Sequence, residues 1–466
     1  MWQRLAAWLR GVWATMFSRS DLQQKLGVTL TVSSDMLAAL ELWASLYANT
    51  PPWASDTVKS LGLGPSIAAE LARATTIEMR VAVTGSARAD WLNAQMQRVV
   101  SELRQQLEPG LAKGGLVFKP YVVGDTLAID YVQADRMLPV GFDSDGHLTA
   151  CVFVDRVHVD QGDYVRLEYH AVTAAGYEIR NRAFRAEGDT LGAEIPLATV
   201  PAWADLLPEA TIEGVDRPLF GYFKPPYANN VDPSSPLGVS CYSRATDMIR
   251  QADEQWSRIL WEFESGERAL FVDELAFERD ANGKPKLPNK RLYRTLDMGG
   301  EKDEFFQAWS PTLREENLLR GLNAILKRIE FQVGLAYGTL SDPQFEAKTA
   351  TEVRTSQQRS YVTVTDTQKA LQSALDELVY AMDVWASLYG LAPRGAYQAA
   401  YDWDDSVVVD KDQQQAADRS AVTMGIMPKW MFLVRNYRLD EATAKQWIAD
   451  VQAEQPADLF GSEAGA

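Results

Sequence analysis

Few residues in this chain are spaced for chemistry. The three histidines, His147, His158 and His170, fall in or beside a series of short apolar runs and lack the spacing that gathers zinc ligands. They are therefore expected on the surface of a sheet. Asp143-Ser144-Asp145-Gly146 opens like a calcium loop, but the chain continues into His147 and a strand pattern without the later oxygen ligands or a closing Glu. A hairpin turn accounts for it. No Gly-x-x-x-x-Gly-Lys-Ser/Thr phosphate loop and no Gly-x-Gly-x-x-Gly occurs, and Gly62-Leu63-Gly64-Pro65 reads as a turn before a helix. Among 63 acidic residues some pair always resembles a glycosidase dyad, so none is assigned. The sequence thus offers no catalytic set, no cofactor site and no metal site, which weighs against an enzyme.

What the chain carries instead is pattern, concentrated between residues 241 and 333. Ala245, Ile249, Ala252, Trp256, Ile259 and Phe263 recur at intervals of four and three, one face of a helix. A second helix is expected from Ser310-Pro311, an N-cap followed by proline at the first helical position, with Leu319, Leu322, Leu326, Ile329 and Val333 on its stripe. Between them lies a strand-like segment with an Asn282-Gly283 turn signal. The result is a helical hairpin with a small β-rich head. A plain pair of core helices would show the same stripes.

The 466 residues allow two to four domains, and 46% hydrophobic with 23% charged residues describes a folded chain. The formal charge of −17 argues against a broad DNA-gripping surface, which needs clustered Lys and Arg. Cys151 and Cys241 lie too far apart in sequence to suggest a disulfide framework or a zinc signature, and fit a reducing compartment. No uninterrupted apolar run reaches membrane-spanning length. Near the start, Trp2, Leu5, Trp8, Leu9, Val12 and Trp13 share a helical face that suits docking on this chain or a neighbouring copy, or a membrane surface.

In chain order, Leu37, Leu40, Trp43, Leu46 and Tyr47 mark a helix over residues 33–47, and residues 61–111 read as mostly helical. From Gly114-Gly115 the texture becomes β, with runs at 116–118, 127–131, 148–154, 164–170 and 177–183 suggesting one meandering antiparallel sheet. Residues 201–240, rich in proline and aromatics, read as an ordered connector. After Val333, residues 334–348 have the composition of a mobile loop. Thr349-Ala350-Thr351-Glu352 forms a capping box for a helix that meets no Gly or Pro before Gly390, with a bend expected at Tyr361-Val362-Thr363-Val364-Thr365. The tail reads as a short β run, Val407-Val408-Val409, then helices over 412–424, 427–437 and 440–454. The fold class is α+β.

Several segments, in their order and spacing, carry a resemblance: Leu111-Ala112-Lys113-Gly114-Gly115 leading to Lys119-Pro120-Tyr121, Phe220-Gly221-Tyr222-Phe223-Lys224, Gly238-Val239-Ser240, Lys348 to Glu352, and Met424-Gly425-Ile426. With the hairpin, they make the chain similar to the portal proteins of long-tailed, siphovirus-type bacteriophages, which form the ring at one capsid vertex. The resemblance implies a portal-type architecture. Residues 1–240 correspond to a wing, 241–263 and 310–333 to a two-helix stem, and 264–309 to a clip. Residues 334–348 correspond to a tunnel loop containing Tyr337, Gly338, Thr339, Leu340, Ser341 and Asp342. Residues 349–390 are then a long kinked helix returning to the wing, and 391–466 a helical, crown-like region. Stem packing is expected from Ile249, Trp256, Ile259, Phe263, Leu322, Leu326 and Ile329.

The resemblance further implies a dodecamer without enzymatic activity or cofactor, assembled in the host cytoplasm and located in the virion. Its partners would be the major capsid protein, the terminase large subunit, head-tail adaptor proteins and, transiently, double-stranded DNA, with no membrane. An acidic conduit suits DNA, since a duplex carrying one charge per ~1.7 Å would stick to a basic tube. Arg320, Lys327, Arg328 and Lys348 flank the loop and are candidates for contact with the passing strand. Solvating an outer face, or pairing with Glu315, Glu316 or Glu330, accounts for each of them equally well. A baseplate or tail component would share the acidity and self-assembly, and a glycosidase with unassigned carboxylates is a third possibility.

Overall fold

The computed structural model describes residues 23, 25–159, 162–187, 190–273, 277–278, 284–287, 292–296, 306–342, 350–403, 411–437 and 439–454. The chain divides into two compact units, Met1–Asp402 and Trp403–Ala466. Expectations for the Trp-rich start, Asn282-Gly283, Lys348, the cap at Thr349 and Val407-Val408-Val409 fall outside the described residues.

The first unit opens with α1 (Ser34–Tyr47), where the Ser33 hydroxyl accepts the Met36 N–H at 3.3 Å as an N-cap. Next come α2 (Leu63–Thr76), β1 (Met79–Thr84) and α3 (Ala87–Lys113). Strand β1 interrupts the stretch expected to be mostly helical. Its residues alternate strictly between buried and exposed, the period-two signature of a strand. It pairs with β14 (Gln398–Trp403), and two amides of α3 occupy its other side: Gln97 donates to the Val81 carbonyl at 2.8 Å and Asn93 accepts from the Val83 N–H at 3.1 Å.

The β region forms two sheets rather than one meander. β2 (Leu116–Val123) and β3 (Thr126–Gln133) join β10 (Gly221–Phe223) in a three-stranded sheet of order β10-β2-β3. A single 3₁₀ turn, Ala134–Arg136, then leads to β4 (Met137–Phe142) and a larger antiparallel sheet. That sheet continues through β5 (Leu148–Val159), β6 (Gly162–Thr173), β7 (Gly176–Glu187) and β8 (Thr190–Ile195), with β9 (Glu209–Ile212) also paired to β7. The expected connector therefore supplies a strand to each sheet.

A buried ionic network joins the sheets. Lys119 of β2 contacts Glu168 of β6 at 2.5 Å, Arg166 reaches the same carboxylate at 3.2 Å, and His170 meets its other oxygen at 2.9 Å. The Tyr177 hydroxyl lies 2.8 Å from the other nitrogen of His170. Burial alone would raise the Glu168 pKa, but the Lys119 and Arg166 cations and the His170 hydrogen bond more than offset it and hold the carboxyl well below its usual range. His170, 3% exposed, is thus a core residue and corrects the expectation of a surface histidine; His147 and His158 are exposed beside Asp143 and Asp163.

Two long-range contacts set the frame for the helices. Helix α6 (Ala350–Tyr389) runs across β10 so closely that a Cβ on Gly221 would lie 2.1 Å from the Ala374 carbonyl oxygen, leaving room only for glycine. The buried Arg88 guanidinium donates to the Asp383 carbonyl in the last turns of α6 and to the Ala392 and Pro393 carbonyls beyond its end, fixing the turn that carries the chain toward β14. Helix α6 continues without a break through residues 361–365. There Thr363 and Thr367 return their hydroxyl protons to the Arg359 and Thr363 carbonyls.

The second unit contains α7 (Lys411–Thr423), α8 (Lys429–Tyr437) and α9 (Glu441–Glu454). Asp418 accepts from Arg435 at 3.3 Å and Asn436 at 3.0 Å, tying α7 to α8, and Asp440 caps α9 by accepting the Thr443 N–H at 2.9 Å. The division after Asp402 differs from the boundary expected at residue 391, because β14 pairs with β1 and so stays with the first unit.

Candidate functional site: a helical hairpin and its pinned loop

The hairpin consists of α4 (Thr246–Ser265) and α5 (Glu315–Val333), with a three-stranded sheet of order β12-β11-β13 between them in sequence. Its strands are β11 (Ala269–Asp273), β12 (Tyr293–Leu296) and β13 (Phe306–Trp309). β11 runs parallel to β12 and antiparallel to β13. Both helices begin later than expected. A 3₁₀ turn, Ser243–Ala245, precedes α4, and α5 starts at Glu315 rather than at Ser310-Pro311.

The reason for the later start of α5 is Glu262. Its carboxylate, near the end of α4, accepts the Arg314 backbone N–H at 3.0 Å and the Arg314 guanidinium at 3.1 and 2.6 Å. That satisfies the backbone where α5 begins and fixes the two arms together. The Arg314 hydrogen bonds hold the Glu262 carboxyl below its ordinary value. Farther along, Gln255 donates to the Leu318 carbonyl at 3.1 Å. On its other side α4 is hooked to the loop after α1: the buried Asp253 accepts from Trp53 Nε1 at 2.8 Å and the Leu61 N–H at 2.7 Å. Burial raises the Asp253 pKa.

Within one chain, Ile249, Ile259, Leu322 and Ile329 are buried, and Trp256 and Leu326 are half-buried. Phe263 departs from this stripe and is 46% exposed. Glu262 stands level with Arg314, so Phe263 lies beyond the start of α5. Trp261 is 63% exposed on the outer side.

After α5 the expected mobile loop is held from inside. Gly334 caps the helix at φ 77°, and a Cβ there would fall 2.2 Å from Thr363 Oγ1, so both conformation and space require glycine. Glu330, fully buried, then organises residues 338–341 around its carboxylate. Oε1 accepts the N–H groups of Gly338, Leu340 and Ser341 at 3.1, 2.6 and 2.8 Å, and Oε2 accepts the Ser341 hydroxyl at 2.8 Å. Asn323 closes the far end, accepting the Asp342 N–H at 2.7 Å and donating to its carbonyl at 3.2 Å. From α6, the Arg359 guanidinium stacks on the rings of Phe331 and Tyr337 at 4.4 and 5.5 Å. Residues 334–342 form a ledge on the end of α5.

Of the four candidate cations, Arg320 is exposed and pairs with Glu316 at 3.0 Å within its own helix. Arg328 is exposed and Lys327 half-buried on α5, while Lys348 lies outside the described residues. Glu330, a suggested partner for these cations, is committed to the loop. Sequence patterning offered Glu330 only as an ion-pair partner and did not single out Asn323, Glu262 or Arg359. One signal was present: an acid in the last turn of a helix opposes the macrodipole, so Glu330 needed a local set of donors. Among the described residues no group of His, Cys, Asp and Glu could hold a metal ion, and no helix is long and apolar enough to cross a membrane.

The profile of the family described as phage portal protein, SPP1 Gp6-like, matches residues 84–457, from the end of β1 past the last described helix. The chain belongs to the phage portal proteins. No curated protein matches it significantly. The family is structural rather than enzymatic and implies a component of the virion capsid. The matched span takes in the hairpin, its loop and α6.

Proposed function

We propose that copies of this chain close into a ring, a dodecamer, at one capsid vertex, and that double-stranded DNA passes through its bore during packaging and ejection. The observation that carries this is the hairpin with its pinned loop: two packed helices ending in a ledge whose backbone is fixed by a buried carboxylate. A loop standing beside a moving polyanion keeps its position only if its backbone is satisfied from within the protein. The net charge of −17 lets a duplex slide rather than adhere, with repulsion screened within ~8 Å at physiological salt.

In this reading the wing, residues 1–240, faces the major capsid protein, and residues 264–309 form the platform for the terminase large subunit and later the head-tail adaptors. Lys327 and Lys348 are the cations assigned to the passing strand. The ring is assembled in the host cytoplasm and resides in the virion, without a cofactor. Excising residues 264–309 tests the platform: the ring should persist while motor docking is lost, and unaltered packaging would rule the assignment out.

A further inference from the structure

We infer that neighbouring copies meet through two charge-matched rows, the outward face of α4 on one copy against the outward face of α5 on the next. This inference rests on the ring reading above and gives it a specific interface.

The heights of residues along the hairpin come from contacts within one chain. Glu262 bonds Arg314, and Gln255 bonds the Leu318 carbonyl, with its amide nitrogen 3.5 Å from where a Cβ on Gly321 would stand. The helices are therefore antiparallel, and at ~1.5 Å per residue the remaining levels follow. Arg258 stands level with Glu316, Glu254 with Arg320, and Asp247 with Arg328. Each of these pairs has opposite charge.

None of these pairs forms within the chain, where both rows are exposed rather than packed between the helices. Asp247, Arg258, Glu316, Arg320 and Arg328 are exposed and Glu254 is half-exposed, whereas Ile249, Ala252 and Ile259 on α4 and Leu322, Ile329 and Val333 on α5 are buried. Among the described residues the rows make contacts along one helix: Arg250 with Glu254 at 3.1 Å, Arg258 with Gln255 at 3.4 Å and Arg320 with Glu316 at 3.0 Å. Set beside a second copy at the same height, Asp247, Glu254 and Arg258 present minus, minus, plus to plus, plus, minus, while Arg250, paired with Glu254 in its own helix, stands level with the neutral Ala324. Trp261 at one end and Phe331 at the other, 63% and 53% exposed, add apolar area beyond the polar pairs. Such a contact joins two different surfaces, so it repeats from copy to copy and closes when the rotation allows. Its charge pattern fixes register, as complementary charges do at interfaces generally. Arg320 and Arg328 are accordingly assigned to the neighbouring copy rather than to DNA.

Two full-length variants test the pairing. One carries Asp247→Arg with Glu254→Arg, the other Arg320→Glu with Arg328→Glu, and assembly is read by native mass spectrometry and light scattering. Each variant alone should need about tenfold more protein, or more, to assemble than the unmodified chain, since every interface then places like charges together. Mixed in equal amounts, they should recover the ring, because alternating copies restore opposite charges at every contact. A melting curve monitors folding. If either variant fails to fold, Arg258→Glu and Glu316→Arg provide the same pair of reversals. Assembly of both single variants at unmodified concentrations, or a mixture no better than its components, overturns the pairing while the ring stands. An unmodified chain that forms no ring overturns the ring reading and the pairing with it.

Discussion

Replacing Glu330 by Ala should release the ledge after α5 while leaving the hairpin folded. The carboxylate accepts three backbone N–H groups and one hydroxyl from residues 338–341, and it is fully buried. Hydrogen bonds to a charged partner contribute about 1.5–3 kcal/mol each. The four share one acceptor whose own desolvation offsets part of the gain, so a loss of about 4 kcal/mol is expected for the closed loop. At about 1.4 kcal/mol per factor of ten, this is about a thousandfold faster amide exchange at Gly338, Leu340 and Ser341. Glu330→Gln keeps one oxygen for the three amides and loses the charge, while its NH2 replaces the acceptor of the Ser341 hydroxyl, which can turn to accept from it, so about tenfold is expected. Hydrogen exchange read at single residues measures both. Exchange in Glu330→Ala within about threefold of the unmodified protein would refute the argument that this carboxylate holds the loop.

Glu168→Gln leaves Lys119 and Arg166 buried without their shared counter-charge and should lower stability by about 3–5 kcal/mol, read by chemical denaturation. Because the Glu168 carboxyl is held well below the usual carboxylate range, its contribution is present above that range and is lost as acid passes through the depressed native value; acid unfolding of the variant should lack this component. Gly334→Ala combines a positive φ with a contact 2.2 Å from Thr363 Oγ1 and should destabilise by about 2–4 kcal/mol; a change below about 0.5 kcal/mol would show that the junction of α5 with α6 yields freely. Lys348→Ala should leave assembly intact and alter DNA retention in filled particles, whereas lost assembly with unchanged retention would count against a channel role.

The helices were legible wherever one face is buried along their length. The stripes of α4 and α5 and the uninterrupted run of α6 followed from spacing and from the lack of Gly and Pro. Strand β1 was obscured because six residues between two helices give little alternation to read, and Arg80 on its exposed side fits a helix equally well. The split into two sheets was not legible, since β10 joins β2 across about a hundred residues and nothing local announces that pairing. The hydrogen bonds that hold residues 334–342 were not legible. Glycine, serine and aspartate at 334–342 suggested mobility, but conformation there is decided by Glu330 and Asn323, whose side chains look like ordinary polar positions on a helix. His170 follows the same logic, because its burial depends on Glu168 and Tyr177 lying beside it in the folded sheet.

The central claim is a closed assembly of identical copies around an open centre. Native mass spectrometry of the full-length chain, with negative-stain images of the same sample, tests it most directly. A single mass at twelve copies, seen end-on as rings with a stain-filled hole, is the predicted result. A monomer at every concentration and salt, or open chains that never close, would contradict it.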